Sequence, residues 1–472
     1  MEALTAANKK TEVKNGLFER VYSLFKVLPR LPERMTEDEI EGLVKVLPAN
    51  IGNTFRILLN PTIQEASLAS FNLLYKWMNE AKEAKKAGKK VVLVPFNFYP
   101  ELIHSFENLF PVTSEVLSTI GTLTLDGQAD RYWEYAMGLG LPDDLCSANT
   151  IEVGSVLSGM DFEPDAIISA APGACDLNAK IHEFLAVYLD IPQFVVEKPP
   201  DNSQHGLSQF KKSYYRLIAE LEEFAGEKLK EERLREVAEK SNRCTELYYD
   251  LWELKKAVPC PVPAVFSALI LGVRFAMWGR DESVEVLEKM IKVSRQIMES
   301  EEYKSRKEVA RVFWTYLSYY YDVAALCEWM EQKGVANLGD MVQIHFTQAL
   351  DLTSTESIID GIVENSWNAF MTRQMGGSSM FVTWVDDLTY VIKELKIDGA
   401  VFCGHHSCKQ TWSVFSATRK EILNRTGVPT LGLHGDCWIS SITPMSIIKE
   451  EVEQFLDNVL LSKQERRKRK KA

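Results

Sequence analysis

The sequence has no long apolar run. No stretch approaches the roughly 18 consecutive apolar residues of a membrane span. The first residues, Met1-Glu-Ala-Leu-Thr-Ala-Ala-Asn-Lys-Lys10, carry no hydrophobic signal core. A cytoplasmic protein without a membrane partner is expected. Excess positive charge is missing too: 54 Lys and Arg face 66 Asp and Glu, a net charge of −12. That balance gives no basic face for a phosphate backbone and excludes nucleic acid as the main partner. The one basic cluster, Lys463, Arg466, Arg467, Lys468, Arg469, Lys470 and Lys471, reads as a solvated C-terminus. No G-x-x-x-x-G-K-[ST] run occurs, so ATP hydrolysis would belong to a partner. Gly376-Gly-Ser-Ser379 lacks the spacing of a phosphate loop.

What is present is an ordinary globular composition, 46% hydrophobic and 25% charged over 472 residues, enough for two or three cores. Residues 1–84 read as helical, with Leu17, Val21, Leu24, Phe25 and Leu28 at helical spacing and again Leu68, Phe71, Leu74 and Trp77. This segment carries no evident chemistry. From Lys90 short β-branched runs alternate with helices. Val91-Val-Leu-Val-Pro95, Ala166-Ile-Ile-Ser-Ala170 and Gln193-Phe-Val-Val196 read as strands of a first α/β domain over 85–204. A charged helical connector is expected over 205–335 and a second α/β domain over 336–462, followed by the basic tail, 463–472. Strands alternating with helices imply parallel, doubly wound sheets, which bind ligands beyond the carboxyl ends of their strands.

The densest chemistry lies in one stretch, Asp398-Gly-Ala-Val-Phe-Cys-Gly-His-His-Ser-Cys-Lys-Gln-Thr-Trp412. A buried strand ends there in thiols, imidazoles and donors. Of the eight cysteines, Cys244 and Cys327 fall in helical patterns and Cys260 between prolines, where cysteine acts as a small hydrophobe. Cys146, Cys175, Cys403, Cys408 and Cys437 fall in or beside loops. Several thiolates converging from separate loops suit a soft metal or iron–sulfur site. The closest pair, Cys403 and Cys408, is Cys-x4-Cys, wider than most structural zinc pairs, and a compact ferredoxin run is absent. Cys408 beside His405 and His406 also suits a thiol nucleophile. Adjacent residues on a strand tip point oppositely, so one of the two histidines would face a cleft. On these residues alone the cluster, nucleophile and structural readings all stand.

Pro100-Glu-Leu-Ile-His-Ser105, Asp144-Leu-Cys-Ser147, Pro164-Asp-Ala-Ile-Ile168 with Ala174-Cys-Asp176, and Asp398-Gly-Ala-Val401 with Ser407-Cys-Lys-Gln410 occur in a telling order. Together with Gly427-Val-Pro-Thr-Leu-Gly-Leu-His-Gly-Asp436 they resemble the 2-hydroxyacyl-CoA dehydratase and benzoyl-CoA reductase superfamily over most of the chain. The resemblance implies two flavodoxin-like domains holding a 4Fe–4S cluster through Cys146, Cys175 and Cys408, with one iron open. It implies an acyl-CoA substrate, a homologous sister subunit or a homodimer, and a separate ATP-hydrolysing iron–sulfur activator that supplies one low-potential electron. On this reading the electron, placed on the thioester carbonyl, lets the 2-hydroxyl depart and acidifies the β-proton. Reductases of the superfamily place such an electron on an aromatic ring.

Several residues extend or depart from that pattern. Cys403 and Cys437 add thiols, and a subgroup of the superfamily holds a double-cubane cluster and reduces small molecules. Glu101, His104 and Ser105 face the cleft if the first strand ends at Pro95. Glu101, Ser105, His405 and His406 are the candidate catalytic groups, and Lys409 and Gln410 the candidates for binding the cofactor or CoA. A non-catalytic scaffold beside a catalytic sister is the alternative from another class, and a Cys408 hydrolase a further one.

Overall fold

The computed structural model describes residues 14–28, 31–32, 34–96, 98–124, 129–161, 163–171, 175–369, 373 and 380–471. Pro172 to Ala174 and the Gly376-Gly-Ser-Ser379 run lie outside them. Two four-stranded parallel sheets organise the chain. The first consists of β1 (Lys90–Val94), β2 (Leu109–Thr113), β3 (Ala166–Ala171) and β4 (Gln193–Glu197), in the order β2-β1-β3-β4. The second consists of β5 (Ala310–Trp314), β6 (Val335–Asp340), β7 (Gly399–Phe402) and β8 (Thr430–Gly432), in the order β6-β5-β7-β8. Both sheets thus have one local order, the second strand outside the first and the third beside it. This is the flavodoxin-like winding, and it opens a crevice where the strand order reverses, beyond β1 and β3 and beyond β5 and β7.

The expected strands near Val91, Ala166, Gln193 and Gly399 are all present, and Gly399–Phe402 has the bounds read from sequence. The second sheet begins earlier than expected. Its first two strands, Ala310–Trp314 and Val335–Asp340, lie in or overlap the stretch read as helical connector. Every residue of both strands is buried, so neither shows the alternation that marks a half-exposed strand. β2 was not expected either, because Pro111 interrupts it. It is an edge strand, the place where a sheet tolerates proline, and Trp77 Nε1 covers that edge by donating to the Pro111 carbonyl at 3.1 Å. The last helix, Met445–Lys471, continues into the stretch expected to fray.

The N-terminal helices pack on their own chain. Helix Gln64–Glu83, in which Phe71, Leu74, Trp77 and Met78 are buried, packs against helices Val265–Met277 and Asp281–Glu299. Helix Ala49–Leu58 reaches Val323–Gln332 beside the second sheet. One continuous apolar core therefore runs from Leu17 through Leu93 and Ile167 to Phe313, Val401 and Leu456. Cys244, Cys260 and Cys327 are buried in the structure. Among the described residues, no helix is long and apolar enough to cross a membrane.

Candidate functional site

A cavity of about 340 Å³ lies between the two halves, and Cys146, Cys175 and Cys408 all line it. Each of the three occupies the N-cap position of a helix: Cys146 of Ser147–Leu157, Cys175 of Asp176–Leu189 and Cys408 of Lys409–Thr426. None caps its helix through its side chain. Three positive helix ends therefore converge on one cavity with three thiols, an arrangement that favours anionic sulfur. The walls are otherwise largely apolar, including Leu74, Ile120, Leu271, Phe275 and Leu317. Burial, with Cys175 and Cys408 nearby, pushes the Cys146 thiol far up. Holding thiolates here calls for a compensating cation, and metal binding displaces such protons.

Among the described residues no three His, Cys, Asp or Glu side chains stand close enough for a single ion. Three thiols on one cavity wall are a donor set that soft metals and iron–sulfur clusters take.

The tip after β7 is shaped by Gly404, at φ 58°. A Cβ there would lie 1.7 Å from the Leu433 carbonyl oxygen, so the tip needs glycine. The turn divides the two histidines as expected. His405 is buried in the cavity wall, whereas His406 is exposed and holds the Gly435 carbonyl through its backbone N–H at 2.7 Å. His405 Nδ1 accepts from the Cys437 N–H at 3.3 Å. That leaves Nε2–H to face Cys146 Sγ at 3.4 Å and Ser407 Oγ at 3.0 Å. Burial lowers the pKa of His405, against the opposing charge of Asp436. Asp436 Oδ1 accepts from Ser147 Oγ at 2.7 Å and from the backbone N–H groups of Trp438 and Ile439, each at 2.8 Å. Tyr316 sits opposite, 3.6 Å from Cys408 Sγ.

Lys409 and Gln410 line the mouth, where Lys409 pairs with Asp144 of the first half. That pair is largely exposed and contributes little to stability.

Glu101 and Ser105 are not brought to this cavity. Glu101 is buried with Arg274, 3.3 Å away, and accepts from Ser241 Oγ at 3.2 Å. Ser105 Oγ donates to the Glu101 carbonyl at 2.7 Å, and His104 Nε2 lies 3.0 Å from the Ala276 carbonyl. The chain turns into helix Glu101–His104 and buries these groups against the helices that follow, which corrects the expectation that they face the cleft. Cys403 and Cys437 are absent from the cavity lining. They face each other at 3.4 Å between sulfurs, fully buried behind His405.

One acidic group went unread in the sequence. Glu115, in helix Ser114–Thr124 after β2, lines the cavity and is fixed by Asn149 and Asn178. The only local sign was a lone glutamate at the start of an otherwise uncharged segment.

The chain is similar to the (R)-phenyllactyl-CoA dehydratase alpha subunit of Clostridium sporogenes, with 22% identity over 409 residues, covering 82% of this chain and 93% of that protein. The family description "2-hydroxyglutaryl-CoA dehydratase, D-component" matches residues 96–459, which include every strand of the two sheets except β1 and all three cavity cysteines. The chain belongs to the 2-hydroxyglutaryl-CoA dehydratase D-component family.

Proposed function

We propose that this chain is the iron–sulfur subunit of a dehydratase acting on 2-hydroxyacyl-CoA thioesters. The observation that carries the reading is the convergence of Cys146, Cys175 and Cys408, each at a helix N-terminus, on one cavity between the two halves. The three thiols would hold a 4Fe–4S cluster, which when bound supplies a one-electron store and a Lewis-acidic iron. The chain's own residues do the remaining work. His405 orients the Cys146 sulfur through Nε2, as the outer hydrogen-bond partners of metal ligands commonly do. Leu74, Ile120, Leu271 and Phe275 keep water from the reacting carbons. Lys409 and Gln410 stand at the mouth, where the polar part of a CoA thioester would enter.

A homologous sister subunit and an ATP-hydrolysing activator belong to the same proposal. The relative is named an alpha subunit, which supports the sister. The chain itself has no phosphate-loop motif for ATP. Ring reduction of the benzoyl-CoA reductase type would use the same cavity, and the family match favours dehydration over it. A double-cubane cluster would need Cys403 and Cys437 in the cavity, and they face each other behind His405.

The test is turnover of 2-hydroxyglutaryl-CoA and phenyllactyl-CoA by the anaerobically purified protein with its sister subunit and activator. Dehydration that requires both ATP and the activator is expected. Turnover without either would overturn the proposal.

A further inference from the structure

We propose that Glu115 handles both protons of the dehydration: it gives its proton to the hydroxyl leaving C2, then takes one from C3. The idea rests on the dehydratase reading above. In one turnover the C2–O and C3–H bonds break, the C2=C3 double bond forms and water leaves. The water carries the proton of Glu115, and the C3 proton restores it. The sum is redox-neutral, because the single electron lent by the external one-electron donor is returned at the end.

The position of Glu115 supports this role. It is buried, at 8% exposure, yet contributes to the wall of the cavity that the three cysteines share. Its Oε1 accepts from Asn149 Nδ2 at 2.9 Å and from Asn178 Nδ2, and its Oε2 accepts from Ser114 Oγ at 3.0 Å. Asn149 lies three residues after Cys146, and Asn178 three residues after Cys175. The carboxyl is therefore tied to both helices that present thiols from the first half. Among the described residues no cation pairs with it.

The surrounding titratable groups suit the task less well. Behind Glu115, Glu152 is fully buried with an unpartnered Oε1 and does not line the cavity. His405 has both ring nitrogens engaged. The Tyr316 and Tyr320 hydroxyls are already engaged, by Cys408 Sγ at 3.6 Å and Asp340 Oδ2 at 2.8 Å. At the mouth Asp144 is paired with Lys409, and Lys180 also lines the wall. Burial, opposed by the Asn149 and Ser114 donors, pushes Glu115 up to about 7, where one carboxyl can serve as acid and base in turn.

The test uses the complete enzyme with its electron donor, and phenyllactyl-CoA and 2-hydroxyglutaryl-CoA as probes. Glu115→Gln is expected to lower kcat by about 100-fold or more, with KM and iron content unchanged. A kcat within about threefold of wild type overturns the proposal. Should that variant not fold, Glu115→Asp is read instead: a loss of about tenfold or more is expected, and an unchanged kcat overturns it.

The wild-type rate is expected to fall as pH rises through the carboxyl's titration. Asn149→Ala, which removes a donor to the carboxylate, should move that limb to higher pH. A purely structural glutamate would leave the limb in place. A wild type inactive on both probes refutes the dehydratase reading instead. Glu115 is then judged by infrared spectroscopy of the protein with phenyllactyl-CoA. A protonated-carboxyl band, lost in Glu115→Gln and shifted by the thioester, supports its role, and an unshifted band overturns it.

Discussion

Ser147 Oγ donates to Asp436 Oδ1 over 2.7 Å, a buried bond between the two halves of the chain. Ser147 directly follows Cys146, and Asp436 directly follows the Gly435 that pairs with His405. The bond therefore fixes the position of one cavity thiol relative to the tip that carries another. Asp436→Ala would leave Ser147 Oγ and the N–H groups of Trp438 and Ile439 without their acceptor. A loss of about 3 kcal/mol or more is expected, read by denaturant unfolding. Ser147→Ala removes one partner and should cost about 1–2 kcal/mol.

Gly404 makes a second prediction. Its positive φ and the Leu433 carbonyl leave no room for a side chain. Gly404→Ala should destabilise the chain by about 2 kcal/mol or more. A variant with wild-type unfolding would show that the tip is built differently.

The Glu101–Arg274 pair is structural, with both side chains 2% exposed and the guanidinium 4.0 Å from the Tyr99 ring centre. Glu101→Ala strands a buried cation and should cost about 3–5 kcal/mol. Iron content per folded molecule should not change. Replacing both partners with apolar residues of similar volume should restore much of the stability.

Glu115 gives stability a pH dependence of definite sign. Its folded pKa is pushed up to about 7 by burial, from an ordinary value of 4.5. Between these values the folded chain binds more protons than the unfolded one, so this contribution is full below 4.5 and is lost as pH rises through 7. Relative to Glu115→Gln, the wild type should lose on the order of 3 kcal/mol between pH 4.5 and pH 8. Unfolding free energies at the two pH values check it, and an equal pH dependence in both proteins contradicts it.

Strand β7 and the thiols beyond it were legible because a short apolar run ending in Cys-Gly-His-His is both a pattern and a chemistry. Strands β5 and β6 were not, since full burial erases the alternation that would separate them from helix. The helix N-caps at the three cysteines were hidden because cysteine is not a preferred cap residue. Glu101 looked functional from its place after a strand, but its partner Arg274 lies 173 residues away. Glu115 was invisible for the same reason, as Asn149 and Asn178 meet it only in the fold.

The most direct measurement is iron and acid-labile sulfide per chain after anaerobic purification, in the wild type and in Cys146→Ala, Cys175→Ala and Cys408→Ala. About four irons and four sulfides are expected in the wild type, with the cluster and its brown colour lost in each variant. A wild type without iron, or a Cys175→Ala protein that keeps all of it, would contradict a cluster held between the two halves.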